Sequence, residues 1–158
     1  MVEVNCYRLN VDANEEGNES RAADPLYPFE FALARRPVSQ QARRSELRVA
    51  WQQEVRREAR RRWRGSTPTD GHLALTITYF FDGGAPDVDS IPKPILNALK
   101  GIIYADDTQV SDLTCRKRNL RDDVVLRNPS PYLLAHLRRF SRVLHVSAAQ
   151  AAYLEVTF

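Results

Sequence analysis

Cysteine is scarce in this chain: among 158 residues only Cys6 and Cys115 carry thiols, and they are far from CxxC spacing. That excludes a disulfide framework and a cysteine-built zinc site, and leaves two reduced thiols packed as small apolar groups. Long apolar runs are missing too. The longest, around Leu73 to Phe81, is far too short to span a bilayer, and the N-terminus lacks the basic-then-apolar layout of a signal peptide. The expectation is a cytoplasmic protein with no membrane contact. His72, His136 and His145 stand isolated in the chain, which reads as structural or solvent-exposed positions. No internal repeat or low-complexity tract is present. A large excess of one charge is also absent, the formal net charge being +3.

What is present is an ordinary globular balance, 43% hydrophobic and 27% charged, on a chain long enough to bury a core and short enough that one domain over residues 1–158 is expected. The small net charge hides a strong asymmetry. Met1 to Ala34 carries seven acidic against two basic residues, and Arg35 to Arg64 carries eleven Arg against three Glu. Such a positive block suits a polyanionic partner.

Val2, Val4 and Cys6 alternate with Glu3, Asn5 and Tyr7, a period-two pattern that predicts a first strand. Residues 11–28 have loop composition. Phe29, Phe31 and Leu33 alternate again and predict a short strand. Ser39 is a candidate N-cap for the segment that follows, in which Leu47, Trp51, Val55, Ala59 and Trp63 recur every four residues, the core stripe of a helix of about six turns. Arginines occupy much of the remaining surface, and Gly65 is the expected stop. Leu73 to Phe80 alternates with both faces fairly apolar, as in a strand near the centre of a sheet. After the Asp82-Gly83-Gly84 turn, Ser90 is placed to cap a short helix from about Ile91 to Lys100, with Gly101 at its end. Val110 to Asn119 reads as a strand ending in Arg116-Lys117-Arg118. Leu133, Leu134, Leu137, Phe140 and Leu144 predict a second amphipathic helix opened by Asn128-Pro129-Ser130-Pro131. Leu154, Val156 and Phe158 mark a terminal strand.

The chemistry concentrates between Pro86 and Val110. Asp87 and Asp89 lie just before the short helix, Asp106 and Asp107 just after it, and Lys93 in its first turn. If the loops folded back so that these acids converged, each pair about 5 Å apart would repel by roughly 3 kcal/mol at an effective dielectric of about 20. Three such pairs would reach roughly 10 kcal/mol, comparable with the whole stability of a domain. A converged cluster therefore needs a cation, or one acid must stay protonated. All-oxygen ligation suits Mg²⁺, which accepts a few carboxylates together with water and phosphate oxygens.

Asp87, Asp89, Lys93, Ala98, Leu99, Gly101, Asp106, Asp107, Gln109 and Val110 together form a pattern that resembles the RusA family of Holliday junction resolvases. Ser90 stands where that family usually has Asn, and Asn97 where it usually has Asp. The resemblance is strongest over residues 31–117, including Arg36-Pro37-Val38-Ser39-Gln40-Gln41, and residues 119–158 match nothing in it. It implies an α+β fold with a mixed sheet packed against the long Arg-rich helix. It also implies a homodimeric endodeoxyribonuclease that resolves branched, four-way DNA during recombination and repair, leaving 5′-phosphate and 3′-hydroxyl ends. Asp87, Asp89 and Asp107 would hold Mg²⁺, or Mn²⁺ in its place, with Asp106 as a further ligand or as an acid standing behind the ligands. Lys93 would act on the scissile phosphate. Arg43, Arg44, Arg56, Arg57, Arg60, Arg61, Arg116, Lys117 and Arg118 would contact the DNA backbone. The rival reading is a module that holds nucleic acid with the Arg-rich helix and does not cut it.

Overall fold

The computed structural model describes residues 9–12 and 29–151. The strand expected over Val2 to Cys6, most of the acidic loop, Cys6 and the terminal strand at Leu154 to Phe158 lie outside these residues. The fold is α+β, built on a four-stranded mixed sheet. In chain order the elements are β1 (Leu9–Asp12), β2 (Phe29–Leu33), α1 (Ser45–Arg62), β3 (Leu73–Phe81), α2 (Pro92–Leu99), β4 (Val110–Asn119), β5 (Val124–Arg127), α3 (Pro131–Arg139) and β6 (Val143–Gln150). Single 3-10 turns at Val88–Ser90 and Asp107–Gln109 flank α2. The sheet order is β2-β6-β3-β4, with β3 and β4 parallel and the other pairs antiparallel. β1 and β5 form a separate parallel pair.

Alternation along the strands divides the core. Phe29 and Phe31 of β2, Leu73, Leu75, Ile77 and Tyr79 of β3, and Leu144 and Val146 of β6 face one side, against α1 and α2. Ala32, Phe80 and Val143 face the other, against Leu120, Val124 and Leu126 and against Leu133 and Leu137 of α3. Successive side chains of a strand point to opposite faces, so one set of strands serves two layers. The β3–α2–β4 segment is a crossover between parallel strands, and it carries the acidic motif.

The long helix differs from its expected form in three ways. It begins at Ser45, not at Ser39, whose Oγ instead accepts from the amide of Gln41 at 3.0 Å. Leu47 lies near its start and is 50% exposed, so the buried stripe is Trp51, Val55 and Ala59, followed by Trp63. The chain leaves the helix at Trp63, before Gly65 is reached. Gly65 has a different role. A Cβ there would come within 2.7 Å of the Trp63 indole nitrogen, so the missing side chain makes room for the ring.

The largest departure is at the C-terminal side. α3 stops at Arg139, with Ser130 Oγ accepting from the amide of Leu133 at 3.1 Å as its N-cap. Leu144 therefore does not continue that helix. It sits fully buried in β6, the strand between β2 and β3. Strands buried on both faces lose the apolar–polar alternation that marks a half-buried strand, and the 133-134-137-140-144 spacing imitates a helix. The outer edge of β2 is closed by side chains. Tyr132 Oη accepts from the amide of Ala32 at 3.0 Å, and Arg62 Nε donates to the carbonyl of Glu30 at 3.1 Å. Such cover removes an open template for pairing with another chain. Among the described residues no helix is long and apolar enough to cross a membrane.

Candidate active site

β3 runs into the Asp82-Gly83-Gly84 turn, where Gly83 takes φ +108, a region open to glycine without steric penalty. The 3-10 turn that follows is held by Ser90. Its amide and its Oγ both donate to the carbonyl of Asp87, at 3.0 and 2.8 Å. Ser90 therefore closes the acid-bearing turn instead of capping α2, which is entered directly from Ile91 in helical conformation. Pro92 and Pro94 both lie in the first turn of α2, where amides have no intrahelical acceptor, so neither breaks the helix. The result leaves Asp87, Asp89 and Lys93 exposed while Pro94, Ile95, Ala98 and Leu99 are buried. Among the described residues none of Asp87, Asp89 and Lys93 forms a salt bridge.

The far end of α2 is tightly fixed. Gly101, at φ +86, donates to the carbonyl of Tyr104 at 2.7 Å, and the buried Tyr104 hydroxyl donates to the carbonyl of Leu96 at 2.7 Å. Burial, with the Asp107 charge adding to it, pushes the Tyr104 hydroxyl up to about 12, so it remains a donor at any physiological pH. Gln109 anchors the second acid pair. Its Oε1 accepts from the amides of Ala105 and Asp106 at 2.8 and 3.0 Å, and its Nε2 donates to the carbonyls of Thr69 and Gly71 at 2.7 and 3.1 Å. The glutamine of the motif is thus a clamp between this loop and the one preceding β3.

Asp106 and Asp107 have different surroundings. Asp106 Oδ1 accepts from both the amide and the hydroxyl of Thr108, at 2.9 Å each, which completes a capping box with Gln109. The bond from the Thr108 amide leads in holding its carboxyl below the ordinary aspartate value. Asp107 is open, with its side chain 57% exposed and the Lys100 ammonium 3.8 Å away. At such an exposed site this pair is weak.

The two acid pairs occupy the two ends of α2, whose eight residues span about 12 Å. The turn carrying Asp89 folds back against β4. Among the described residues no three His, Cys, Asp or Glu side chains gather closely enough to hold a metal ion. The described residues thus present exposed carboxylates and not an assembled three-acid cage. The donor chemistry itself, exposed carboxylates beside a lysine, fits a hard cation that keeps most of its own waters.

The basic residues divide into two groups. Arg56 Nη1 donates to the carbonyls of Ala98 and Lys100 at 2.9 and 3.1 Å, Arg62 lies 4.0 Å from the centre of the Tyr132 ring, and Arg48 bonds the carbonyl of Gln40. These hold the fold together. Arg43, Arg44, Arg57, Arg60 and Arg61 are exposed, and among the described residues their only ion pair is a 3.8 Å contact from Arg61 to Glu58. On β4 the three basic residues alternate. Lys117 pairs with Tyr79 and so faces the α1–α2 side that carries the acids, whereas Arg116 and Arg118 pair with Thr78 and Phe80 and face the opposite layer. Sequence reasoning overlooked the Glu30–His145 pair, in which Nε2 and Oε2 are 2.7 Å apart with Ser130 Oγ donating to the same oxygen at 2.8 Å. Only the three-dimensional pairing of β2 with β6 brings these residues together.

A family model described as endodeoxyribonuclease RusA matches residues 33–125, from the last residue of β2 into β5. The chain belongs to the RusA family. Membership carries endodeoxyribonuclease activity, the cutting of DNA at internal phosphodiesters. The matched RusA region contains both acid pairs, Lys93 and the whole of α1, and it ends before β6 begins. No curated protein matches the chain.

Proposed function

We propose that this protein is a Mg²⁺-dependent, structure-specific endonuclease that resolves four-way DNA junctions. The observation that carries the reading is that Lys93 on α2 and Asp87, Asp89 and Asp107 in the turns flanking it all lie exposed within the RusA match, while Arg56 and Tyr104 hydrogen-bond the carbonyls at the far end of that helix. Asp87, Asp89 and Asp107 are the proposed ligands, Asp106 is a further one, and Mn²⁺ is an acceptable substitute. A preassembled cage is not required, because Mg²⁺ completes its shell with water and substrate phosphate oxygens. When bound, the cation supplies Lewis-acid activation of water and neutralises charge developing at phosphorus.

The protein's own residues do the rest. Lys93 donates to a non-bridging or leaving oxygen of the scissile phosphate. Arg57, Arg60, Arg61, Arg43 and Arg44 bind the backbone of the arms, and Lys117 stands on the same face as the acids. A junction has near two-fold symmetry and needs cuts in two opposing strands, so the proposed assembly is a C2 homodimer with one site per subunit. Cleavage leaving 5′-phosphate and 3′-hydroxyl ends permits direct religation. The test is incubation of purified protein with an end-labelled mobile four-way junction, with and without Mg²⁺. Paired symmetric nicks that depend on the metal support the reading; binding without cleavage in Mg²⁺ or Mn²⁺ replaces it with a non-catalytic binder.

A further inference from the structure

Beside the acid turn lies an open cleft of about 470 Å³, whose walls include Arg36, Pro37, Val38, Pro86, Asp87 and Ser90. One wall is the segment after β2 and the other is the turn after β3. Their separation is set by backbone: the amide of Gln40 donates to the carbonyl of Ser90 at 3.0 Å, Pro37 is buried, and Val38 packs on the core. The two walls of the cleft are therefore tied to each other and to the core.

Arg36 and Asp87 share this cleft yet form no salt bridge, and Arg36 makes no ion pair or side-chain hydrogen bond among the described residues. Its neighbour Arg35 differs sharply, since it is tied to Glu54. Opposite charges that face one cleft without meeting leave room for a ligand with the complementary layout, an anionic oxygen at the arginine and a cation at the aspartate. A DNA phosphate next to a carboxylate-bound metal has that layout. The guanidinium fork matches two phosphate oxygens at once. A Cβ at Gly84 would have an Arg36 Nη1 atom as its nearest neighbour, at 3.8 Å, so larger side chains there would crowd the fork.

We propose that Arg36 is a substrate-binding residue that holds a backbone phosphate of the cut strand in the cleft it shares with Asp87, next to the phosphodiester that is hydrolysed. The assignment rests on the nuclease reading for the identity of the neighbouring linkage. It does not rest on it for the phosphate contact itself, and the experiment separates the two.

Two variants and one modified substrate decide it. Arg36→Gln is expected to slow single-turnover cleavage of a four-way junction about ten- to a hundredfold while its melting temperature stays at the wild-type value. Arg36→Lys, which keeps the charge but loses the fork, is expected to recover part of that rate. In metal-free binding, Arg36→Gln should flatten the slope of log K against log salt by about 0.9, the amount for one phosphate on duplex DNA. Junctions carrying one methylphosphonate at successive linkages near the cut should reveal a position that slows the wild type and adds nothing to the defect of Arg36→Gln. If the wild type does not cut in Mg²⁺, the nuclease reading falls while the binding slope still decides the role of Arg36. Equal slopes for wild type and Arg36→Gln, or no linkage whose neutralisation is silent in the variant, overturn the proposal.

Discussion

Arg56 Nη1 donates to the carbonyl of Ala98 at 2.9 Å and so fastens the Arg-rich helix to the C-terminal end of the helix that the acids flank. Carbonyls at a helix C-terminus lack intrahelical donors and carry partial negative charge, so a guanidinium there both satisfies them and complements the dipole. One arginine of a block suited to DNA is thereby a structural tie.

The arginines of α1 are therefore expected to separate by experiment. Arg56→Gln should lower the unfolding free energy by about 1.5 to 3 kcal/mol, the range for a hydrogen bond involving a charged group, and leave the salt dependence of DNA binding unchanged. Replacing Arg57, Arg60 and Arg61 together with Gln should flatten the log K against log salt slope by up to roughly 2.7, at about 0.9 per phosphate. Its urea midpoint should stay near that of the wild type. An Arg56→Gln protein of undiminished stability and flattened slope would return Arg56 to the DNA-binding set.

Asp106 and Asp107 should respond differently to the same substitutions. Asp87→Asn, Asp89→Asn and Asp107→Asn are expected to reduce cleavage by several orders of magnitude. Metal-free junction binding should hold or tighten, because each change removes a negative charge near the phosphates. Asp106→Asn preserves the capping box acceptor, and Asp106→Ala loses it. Cleavage by Asp106→Asn that falls as far as that of Asp107→Asn would make Asp106 a ligand of equal standing. Lys93→Ala should abolish cleavage while Mg²⁺ binding, followed by calorimetry, persists.

The Glu30–His145 pair predicts an acid-side loss of stability. The hydrogen bond from His145 is the main cause that lowers the Glu30 carboxyl, with Ser130 helping and burial opposing. A carboxyl depressed in the folded state stabilises it fully above the unfolded-state value of about 4.5, and that contribution is lost as pH falls through the lower folded value. Urea midpoints measured between pH 6 and pH 3 should therefore drop more steeply for the wild type than for Glu30→Gln. Parallel curves would mean that the pair carries no such linkage.

A chain ending at Val125, where the family match stops, should not reach the native fold. It lacks β6, the partner of both β2 and β3, and the fully buried Leu144 and Val146 with it. Loss of a cooperative unfolding transition and rapid proteolysis are the expected readouts, and a stable, cooperatively melting fragment would contradict the pairing.

The motif, the strand from Leu73, the strand from Val110 to Asn119 and the opening of a helix by Asn128-Pro129-Ser130-Pro131 were all legible in the sequence, because each depends on residues a few positions apart along the chain. Spacing of two or four sets which side chains share a face, and a cap bonds amides only two or three residues on. The acid pairs and their lysine belong to the same local kind, which is why the family could be read from them. Tertiary structure alone decided the place of β6, the split between structural and exposed arginines, the alternation that sets Lys117 apart from Arg116 and Arg118, and the cleft joining Arg36 to Asp87. Each of these depends on which distant strand or helix lies alongside, and a guanidinium with a free carbonyl in reach reads the same in one dimension as one facing water. The sequence determined what chemistry the chain carries; the packing of β2, β6, β3 and α2 decided which copies of each side chain remain free to perform it.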